Sequence, residues 1–411
     1  MTAAPAQCRS CGSAPLERIL SLGSLPLANA LLSEAQLDQA EPMYPLDLVV
    51  CPTCTLVQIT VTVPPEELFR DYVYFSSYAD TAIENARALV DRLVTARGLG
   101  PGSLAMEVAS NDGYLLQHYL RHGVPALGIE PARNIARVAV EHGIRTITEF
   151  FGVPLAERLR ADGEMADVLH ANNVLAHVAD LNGFVAGLEL VLKARGVAVV
   201  EVPYVADLIA GTEFDTIYHE HLCYFSLTAL TRLFERHGLM IEDVEHLPVH
   251  GGSLRLFVVK ADGKRIPAPS VELLIRQEAA LRMDGLANYR AFAVRVGTLR
   301  RELCACLASL KAAGAHIAAY GASAKGTTLL NHFGIGRETL DFVVDRSPAK
   351  QGRFTPGTHL PIRSPETLLR EMPDYVLLLA WNLVDEVLEQ QAEYRRRGGR
   401  FVIPMPDPKI V

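Results

Sequence analysis

The stretch Met106-Glu107-Val108-Ala109-Ser110-Asn111-Asp112-Gly113 joins an apolar strand to a polar turn. The turn opens a helix, and this is the position at which an open α/β sheet binds its ligand. The glycine-rich form of such a loop is reduced here to Ala109, Asn111 and Gly113, so the loop alone is a weak nucleotide signature. The alternative is that Asn111 or Asp112 only caps the helix.

Glu130 strengthens the ligand interpretation. It ends the next predicted strand, 17 residues after Gly113. An acidic side chain at that point of a loop-helix unit can accept both ribose hydroxyls of an adenosine. We therefore predict an adenosine-type cofactor site, with the following residues assigned to it: Glu107, Asn111, Asp112, Gly113 and Glu130.

Outward from this loop, short apolar strands alternate with helices, starting after an amphipathic helix over 81–96. Such a pattern predicts a parallel sheet covered on both faces. Two later strands are close enough to pair antiparallel, as in the class I methyltransferase sheet, which is Rossmann-like. The predicted parallel strands are 103–109, 126–130, 145–148, 167–171 and 197–202, and the later pair is 239–245 and 253–260.

A second α/β unit follows a helical connector over 269–313, with predicted strands at 341–345, 375–380 and 400–403. It opens with Gly321-Ala-Ser-Ala-Lys-Gly326, directly after a strand and beside expected helix N-terminal amides. Lys325 and those amides suit a diphosphate, and Ser323 can add a hydroxyl. The alternative is an ordinary strand-to-helix turn with a solvated lysine.

The N-terminal 66 residues are rich in proline and lack long periodic helices, with two predicted strands at 46–50 and 56–60. They contain two CxxC pairs, and four thiolates form the closed tetrahedral shell that structural Zn²⁺ accepts. A metal staple suits a segment that can bury little apolar area. The alternative is unpaired thiols or a redox pair. The predicted zinc ligands are Cys8, Cys11, Cys51 and Cys54.

The segment Thr216-Ile-Tyr-His-Glu-His-Leu-Cys-Tyr-Phe-Ser226 concentrates titratable side chains and follows the predicted fifth strand. Histidine titrates nearest neutrality, so this segment is the expected source of a proton acceptor. His219 and His221 share a face if the segment is extended, and both are candidate bases. A polar surface loop is the alternative, although interleaved Leu222 and Phe225 indicate partial burial.

Polar residues also follow the predicted fourth strand, in His170-Ala-Asn-Asn-Val-Leu-Ala-His177. Asn172 is assigned to the cofactor, although it can equally be a turn or cap residue. Asn173 and His177 are the better candidates for contacting the acceptor, because they orient polar groups without adding charge.

The composition of the chain argues against several classes of protein. The chain has 411 residues, which is long enough for two to four domains. A formal net charge of −8 argues against a nucleic-acid-binding surface, and the 49% hydrophobic residues form no run that approaches a membrane span of about 20 residues. With no secretory signal visible at the N-terminus, the expected location is cytoplasmic.

Taken together, blocks spread over the whole chain resemble the three-domain sugar C-methyltransferases, which act on nucleotide-linked 4-keto-deoxysugars in antibiotic pathways. Each block alone is unspecific, whereas their joint occurrence in order is specific. The blocks are the four paired cysteines, Tyr72-Val-Tyr-Phe-Ser-Ser-Tyr78, Glu107-Val-Ala-Ser-Asn-Asp-Gly113, His170-Ala-Asn-Asn173, Tyr218-His-Glu-His-Leu-Cys-Tyr-Phe-Ser226, His250-Gly-Gly-Ser-Leu-Arg255 and Gly321-Ala-Ser-Ala-Lys-Gly326.

The resemblance implies a zinc-binding domain over 1–66, an S-adenosylmethionine-binding domain over 67–265, and a C-terminal α/β domain over 266–411 that helps to hold the nucleotide sugar. It makes His221 the leading base and His219 the second candidate. Glu220 and Tyr218 become orienting or enolate-stabilising groups, and Tyr74 matches a family tyrosine near the active site.

Further substrate-binding candidates are Tyr224 and Arg255, although Arg255 can also lie on the outer face of the sheet. The implied substrate is a dTDP-linked sugar methylated at C3 in preference to C5. The oligomeric state stays open, with a monomer as the working expectation. Two alternative functions stay open. One is an O- or N-methyltransferase of a small metabolite, and the other is a non-catalytic zinc-ribbon binding protein.

Overall fold

The structure is a computed structural model and describes residues 7–69, 77, 80–249 and 251–411. The strands are β1 (Glu17–Leu25), β2 (Tyr44–Val50), β3 (Val57–Ile59), β4 (Ala105–Val108), β5 (Ala126–Ile129), β6 (Arg145–Ile147), β7 (Ala166–Asn172), β8 (Leu192–Pro203), β9 (Cys223–Tyr224), β10 (Leu239–Leu247), β11 (Ser253–Lys260), β12 (Ile317–Tyr320), β13 (Val343–Val344), β14 (Ile362–Arg363), β15 (Tyr375–Leu378), β16 (Arg400–Ile403) and β17 (Lys409–Ile410).

The helices connect these strands, and most of them lie between strands of the central and C-terminal sheets. They are α1 (Pro65–Phe69), α2 (Asp80–Arg97), α3 (Leu116–Arg121), α4 (Arg133–Glu141), α5 (Val153–Ala161), α6 (Leu181–Val191), α7 (Val205–Ala210), α8 (Leu227–Glu235), α9 (Pro269–Ala280), α10 (Leu286–Ala312), α11 (Ala324–Phe333), α12 (Thr367–Glu371), α13 (Val384–Gln390) and α14 (Ala392–Arg396). Short 3₁₀ turns add Glu34–Gln36, Leu175–His177, Phe214–Thr216 and Trp381–Leu383.

The central sheet has the strand order β10-β11-β8-β7-β4-β5-β6. Strands β4 to β8 are parallel to one another, and β11 runs antiparallel to both of its neighbours. Helices cover both faces, which explains why Val197, Ala198, Val199 and Val200 are all fully buried in β8. The predicted class I methyltransferase sheet is confirmed, and its strand ends point toward the loops that carry the candidate site residues.

The N-terminal sheet is antiparallel, with the order β1-β2-β3-β9. Two of its strands were expected, whereas β1 and β9 were not. Strand β9 comes from the histidine-rich segment, and its Tyr224 pairs with Val57 of β3. The N-terminal domain and the histidine-rich segment Thr216–Ser226 therefore share one hydrogen-bonded sheet.

The C-terminal sheet has the order β14-β13-β12-β15-β16-β17 and is parallel except for β17. Its first helix, α11, packs closely on the sheet at Gly326, where an added Cβ would lie 2.9 Å from the Cβ of Leu379. The predicted second Rossmann-like unit is confirmed, and the helical connector consists of α9 and α10. Among the described residues, no helix has the length and apolar character needed to cross a membrane.

Candidate active site

The loop after β4 has the strained backbone expected of a ligand-binding turn. Ala109 and Asn111 adopt φ values of +56° and +50°, and Gly113 adopts +81°. A Cβ on Gly113 would lie 2.0 Å from Cδ1 of Ile144, so the turn needs both the freedom and the small volume of glycine.

Glu130 is fixed beside this loop by two backbone amides. Asn111 donates to its Oε2 over 3.0 Å, and Ala132 donates to its Oε1 over 2.9 Å. Each carboxylate oxygen retains acceptor capacity for a second partner. The loop and Glu130, which were predicted to act together, are therefore adjacent in the fold.

Three carboxyl groups lie buried around the loop: Glu107, Asp112 and Glu130. Burial and the neighbouring Glu130 and Asp112 hold the pKa of Glu107 well above its usual range, and burial raises that of Glu130. Oε2 of Glu107 and Oδ1 of Asp112 have no hydrogen-bond partner within the described part of the chain. Buried acids without a cationic partner favour a cationic ligand, and S-adenosylmethionine carries both a sulfonium and an ammonium.

The end of β7 lies next to this acidic group in the sheet. The buried Oδ1 of Asn172 has no partner in the described ranges, which leaves it available to a ligand. Asn173 has φ +53°, and its amide donates to the carbonyl of Glu201 over 2.8 Å. Because the backbone turns at Asn173, the side chain of Asn172 and the amide of Asn173 point toward different parts of the structure.

The histidine-rich segment Thr216–Ser226 lies across the carboxyl ends of the central strands. Leu222 donates its amide to the carbonyl of Ala176 over 2.7 Å, just after β7. Val205, just after β8, donates to the carbonyl of Phe225 over 3.0 Å. These two backbone contacts hold the segment at the strand ends, next to the loop of the cofactor site.

His221 is held at both ring nitrogens. Its Nδ1 lies 2.9 Å from the carbonyl oxygen of Thr216, and its Nε2 lies 2.9 Å from the hydroxyl of Tyr218. Because a carbonyl only accepts, the hydrogen-bond pattern assigns the proton to Nδ1 and leaves Nε2 as the acceptor. This is the tautomer that a proton acceptor at Nε2 requires.

Two further aromatic contacts surround the His221 ring. The Tyr218 ring centroid lies 4.1 Å away, and the His177 ring packs against it edge-on at 4.8 Å. Burial lowers the pKa of His177 to about 4, so this imidazole is neutral near neutral pH. His177 therefore contributes a polar but uncharged wall to the site.

Glu220 is buried, and burial raises its pKa to about 7, against the opposing effect of one hydrogen bond. That bond comes from Asn29 of the N-terminal domain, whose Nδ2 donates to Oε1 over 2.7 Å. A carboxyl group that titrates near neutrality can accept or donate a proton under working conditions.

The side chain of His219 does not lie on the same side of the segment as that of His221. The segment forms a turn here rather than a strand, so the condition for a shared face fails. The Nε2 of His219 lies 3.3 Å from the carbonyl oxygen of Tyr44, and burial lowers its pKa. Its ring is directed into the N-terminal domain, which argues against the second candidate base.

Of the proposed substrate contacts, Tyr224 lies near His221, whereas Arg255 is engaged by two carboxylates on neighbouring strands. The two rings of Tyr224 and His221 are 6.3 Å apart, and the buried Tyr224 hydroxyl has no partner in the described ranges. The Arg255 guanidinium is held by Glu201 at 3.0 Å and by Glu245 at 3.2 Å. Two carboxylates on adjacent strands already neutralise Arg255, which argues against its anion-binding interpretation.

The Gly321–Gly326 loop opens α11 as predicted. Ser323 is the N-cap, and its Oγ accepts from the amide of Gly326 over 3.1 Å. The Lys325 side chain is partly buried, and its ammonium donates to Oδ1 of Asn382 over 3.1 Å and lies 4.8 Å from the Trp381 ring centroid. These two contacts argue against the alternative of a solvated lysine.

The four predicted zinc ligands converge. All four Sγ atoms lie within 4.8 Å of one another, with Cys8 to Cys54 at 3.4 Å and Cys11 to Cys51 at 3.5 Å. A tetrahedral Zn²⁺ with bonds of about 2.3 Å needs sulfurs about 3.8 Å apart, so the cluster fits the ion. With four protein ligands and no open position, the zinc is structural.

Sequence reasoning missed Asn29, which contacts Glu220, and it missed the Trp381–Asp215 hydrogen bond directly before the histidine-rich segment. The one sequence feature that could have drawn attention to Trp381 is that it is the sole tryptophan of the chain. Tyr74 falls outside the described residues, so its assignment stays a prediction.

Three family models match successive parts of the chain. Residues 8–69 match the model described as "Putative zinc binding domain", 78–244 match "Methyltransferase domain", and 248–406 match "C-methyltransferase C-terminal domain". The zinc ligands, the cofactor loop and the Lys325 loop fall in these three regions in that order.

Among curated relatives, the C-methyltransferase NovU of Streptomyces niveus is 36% identical over 98% of this chain and 96% of its own length. The ubiquinone biosynthesis O-methyltransferase of Bartonella quintana is 29% identical, over 23% of this chain and 39% of its own length. The solved magnesium protoporphyrin IX methyltransferase of Synechocystis, with bound S-adenosylhomocysteine, covers 43% of this chain and 83% of its own, at 14% identity and a TM-score of 0.36.

The near-complete alignment with NovU joins the same three regions as the family models, in one chain and in one order. The charge of the buried acids is complementary to a cationic methyl donor, and the spacing of the four cysteines fits a zinc ion. The chain therefore belongs to the zinc-containing, S-adenosylmethionine-dependent C-methyltransferase family.

Proposed function

We propose that this enzyme methylates a carbon next to the ketone of a nucleoside-diphosphate-linked 4-keto-deoxysugar, in the biosynthesis of an antibiotic sugar. C3 is the favoured carbon and C5 the alternative, and the nucleotide is dTDP. The observation that carries the proposal is the His221 imidazole, whose Nδ1 is tied to the Thr216 carbonyl so that Nε2 is left as an acceptor.

Methylation of carbon requires a nucleophilic carbon. A proton next to a ketone can be removed because the resulting charge delocalises onto the carbonyl oxygen as an enolate. His221 Nε2 takes this proton, and the Thr216 carbonyl then accepts a stronger hydrogen bond from the imidazolium. Tyr218 donates to Nε2 before substrate enters, so substrate binding must turn its hydroxyl away. The freed hydroxyl can then donate to the enolate oxygen.

Glu220 and His177 complete the proposed site. With a pKa of about 7, Glu220 can be ionised to stabilise the imidazolium or protonated to donate to the enolate. The uncharged His177 packs edge-on against His221 and restricts its rotation. Tyr74, Asn173 and Tyr224 are proposed to contact the sugar.

When bound, S-adenosylmethionine supplies an electrophilic methyl group for in-line attack by the enolate carbon. The protein's part is to hold the reacting carbons in line and to exclude water. Glu130 is proposed to accept the ribose hydroxyls, while Glu107, Asn111, Asp112, Gly113 and Asn172 line the rest of the cofactor site.

The nucleotide is proposed to lie at the start of α11. Amides there point outward from the helix, and the Ser323 hydroxyl still has its hydrogen to donate to a phosphate. Lys325 contributes positive charge from behind this turn, although its ammonium already contacts Asn382.

Proton exchange tests the base directly. Without methyl donor, the wild-type enzyme in deuterated water is expected to exchange one α-proton of a dTDP-4-keto-deoxysugar, as followed by proton NMR. His221→Ala is expected to abolish this exchange, and His219→Gln serves as the matched control and is expected to retain it. Exchange at the wild-type rate in His221→Ala would remove His221 from the role of base.

Product analysis tests the reaction class. Labelled methyl donor is incubated with a panel of nucleotide 4-keto sugars, and carbon NMR locates the label. A methyl on C3 supports the proposal, and one on C5 changes only the regiochemistry. A methyl on oxygen or nitrogen supports the alternative of a small-metabolite O- or N-methyltransferase and rejects the enolate mechanism.

A further inference from the structure

A partly buried contact joins the C-terminal domain to Asp215, the residue directly before the histidine-rich segment Thr216–Ser226. The indole Nε1 of Trp381, just after β15, donates to Oδ2 of Asp215 over 2.8 Å. Asp215 is 0% exposed, and its other oxygen has no hydrogen-bond partner among the residues that the structure describes. Burial of a carboxyl group is costly, and the indole N–H is the side-chain donor that offsets this cost, alongside the backbone amides of Asp215 and Thr216.

Lys325 reinforces this contact from α11. Its ammonium lies over the Trp381 ring, 4.8 Å from the centroid, and donates to Asn382 of the same turn. Burial lowers the pKa of Lys325, whereas the carboxyl groups of Asp215 and Glu213 oppose that shift. The cation thus lies within the electrostatic reach of Asp215 and stabilises its charge in a partly buried interface.

Asp215 directly precedes Thr216, whose carbonyl oxygen accepts from His221 Nδ1 over 2.9 Å. On the other side of Asp215, the Phe214 ring stacks on Phe333 of α11 at 4.7 Å with an interplanar angle of 21°. Both Phe214 and Asp215 are therefore held by the C-terminal domain. Together these contacts restrict the peptide that presents the Thr216 carbonyl.

We propose that Trp381 and Lys325 are positioning residues for His221, because they fix Asp215 and, through the adjoining peptide, the carbonyl that sets the tautomer and direction of the imidazole. The inference rests on the proposed role of His221 as base. Displacement of a catalytic group by about 1 Å can cost up to about 100-fold in rate, so loss of one such contact has a measurable effect.

Trp381→Phe tests the proposal, because it removes the N–H donor while keeping an aromatic ring beside Lys325. The expected result is a roughly tenfold decrease in both kcat and the rate of α-proton exchange, with KM values within about twofold of wild type. His359→Ala is the matched control, since it removes another contact of the C-terminal domain, to Glu41 at 2.6 Å, without touching Asp215. This control is expected to exchange at the wild-type rate.

A wild-type exchange rate in Trp381→Phe, or an equal decrease in His359→Ala, would overturn the inference. Loss of exchange in His221→Ala alongside normal exchange in Trp381→Phe rejects the inference only. Normal exchange in His221→Ala rejects the proposed function itself.

A spectroscopic readout keeps the proposal testable if Trp381→Phe fails to fold. Because Trp381 is the sole tryptophan, its emission reports this interface in the otherwise unmodified protein. Asp215→Ala is expected to shift the emission and to lower exchange roughly tenfold, since the indole N–H loses its acceptor. An unchanged spectrum, or a shifted one with wild-type exchange, would contradict the proposed positioning.

Discussion

Asn29→Ala is expected to raise the pKa of Glu220 although the two residues belong to different domains. In the wild type, Asn29 Nδ2 donates to Glu220 Oε1 over 2.7 Å and opposes the effect of burial, which brings the pKa to about 7. A hydrogen bond to a charged group contributes about 1.5–3 kcal/mol, which is roughly 1–2 pH units at 1.36 kcal/mol per unit. Because Asn29 is exposed, water will replace part of the bond, so an increase of about one unit is expected.

The assay is the pH dependence of kcat for methyl transfer across the neutral range. The part of the kcat–pH profile that reports the ionisation of Glu220 should move to higher pH by about one unit. Asn182→Ala is the matched control, because Asn182 also crosses between these domains, with its Nδ2 donating to the carbonyl of Arg9 at 2.9 Å, yet does not touch Glu220. The reasoning is refuted if the Asn29→Ala profile coincides with that of wild type or if Asn182→Ala moves it equally.

Four other outcomes follow from the same geometry. Gly113→Ala should weaken methyl-donor binding at least tenfold by calorimetry, because the new Cβ meets Ile144 and the positive φ is strained. Arg255→Gln should lower the free energy of unfolding in urea by about 3 kcal/mol, because it leaves the carboxylate of Glu201 without its cationic partner. The KM for nucleotide sugar should stay unchanged. Removal of zinc by a chelator should lower the thermal midpoint of unfolding, and adding zinc back should restore it. A midpoint that does not change with the metal would reject the structural role of zinc. Glu220→Gln should stabilise the protein by up to about 3 kcal/mol at pH 8 and have little effect near pH 4. The folded pKa of this carboxyl is raised from 4.5 to about 7, so stability present at low pH is lost as the pH rises through about 7, and thermal melts at both pH values measure the difference.

Local patterns were sufficient to predict the central sheet and its cofactor edge. Strand β8 contains a continuous apolar run over 197–200. The turn at Gly113 and the acid at Glu130 also lie near one another in sequence. The cysteine cluster was predictable for a similar reason, because each CxxC pair forms its own turn and only the meeting of the two pairs is long-range.

Contacts between distant parts of the chain were not predictable. The donor to Glu220 is Asn29, 191 residues away, and no local pattern links them. Arg255 looked like an anion contact because its two carboxylate partners depend on cross-strand register, which a single sequence does not reveal. His219 and His221 have similar local chemistry, and only the turn between them directs one ring into the N-terminal domain.

The pairing of β9 with β3 has a consequence for biosynthesis of the chain. The N-terminal domain emerges from the ribosome first, but the edge of β3 stays unpaired until Cys223 and Tyr224 have been made. At about 5–20 residues per second, that interval lasts on the order of 10–30 seconds for the roughly 165 intervening residues. During this time an open strand edge is available to other nascent chains. Early zinc capture by the four cysteines would hold the first three strands together during translation, and slow metal supply should appear as aggregation of newly made protein.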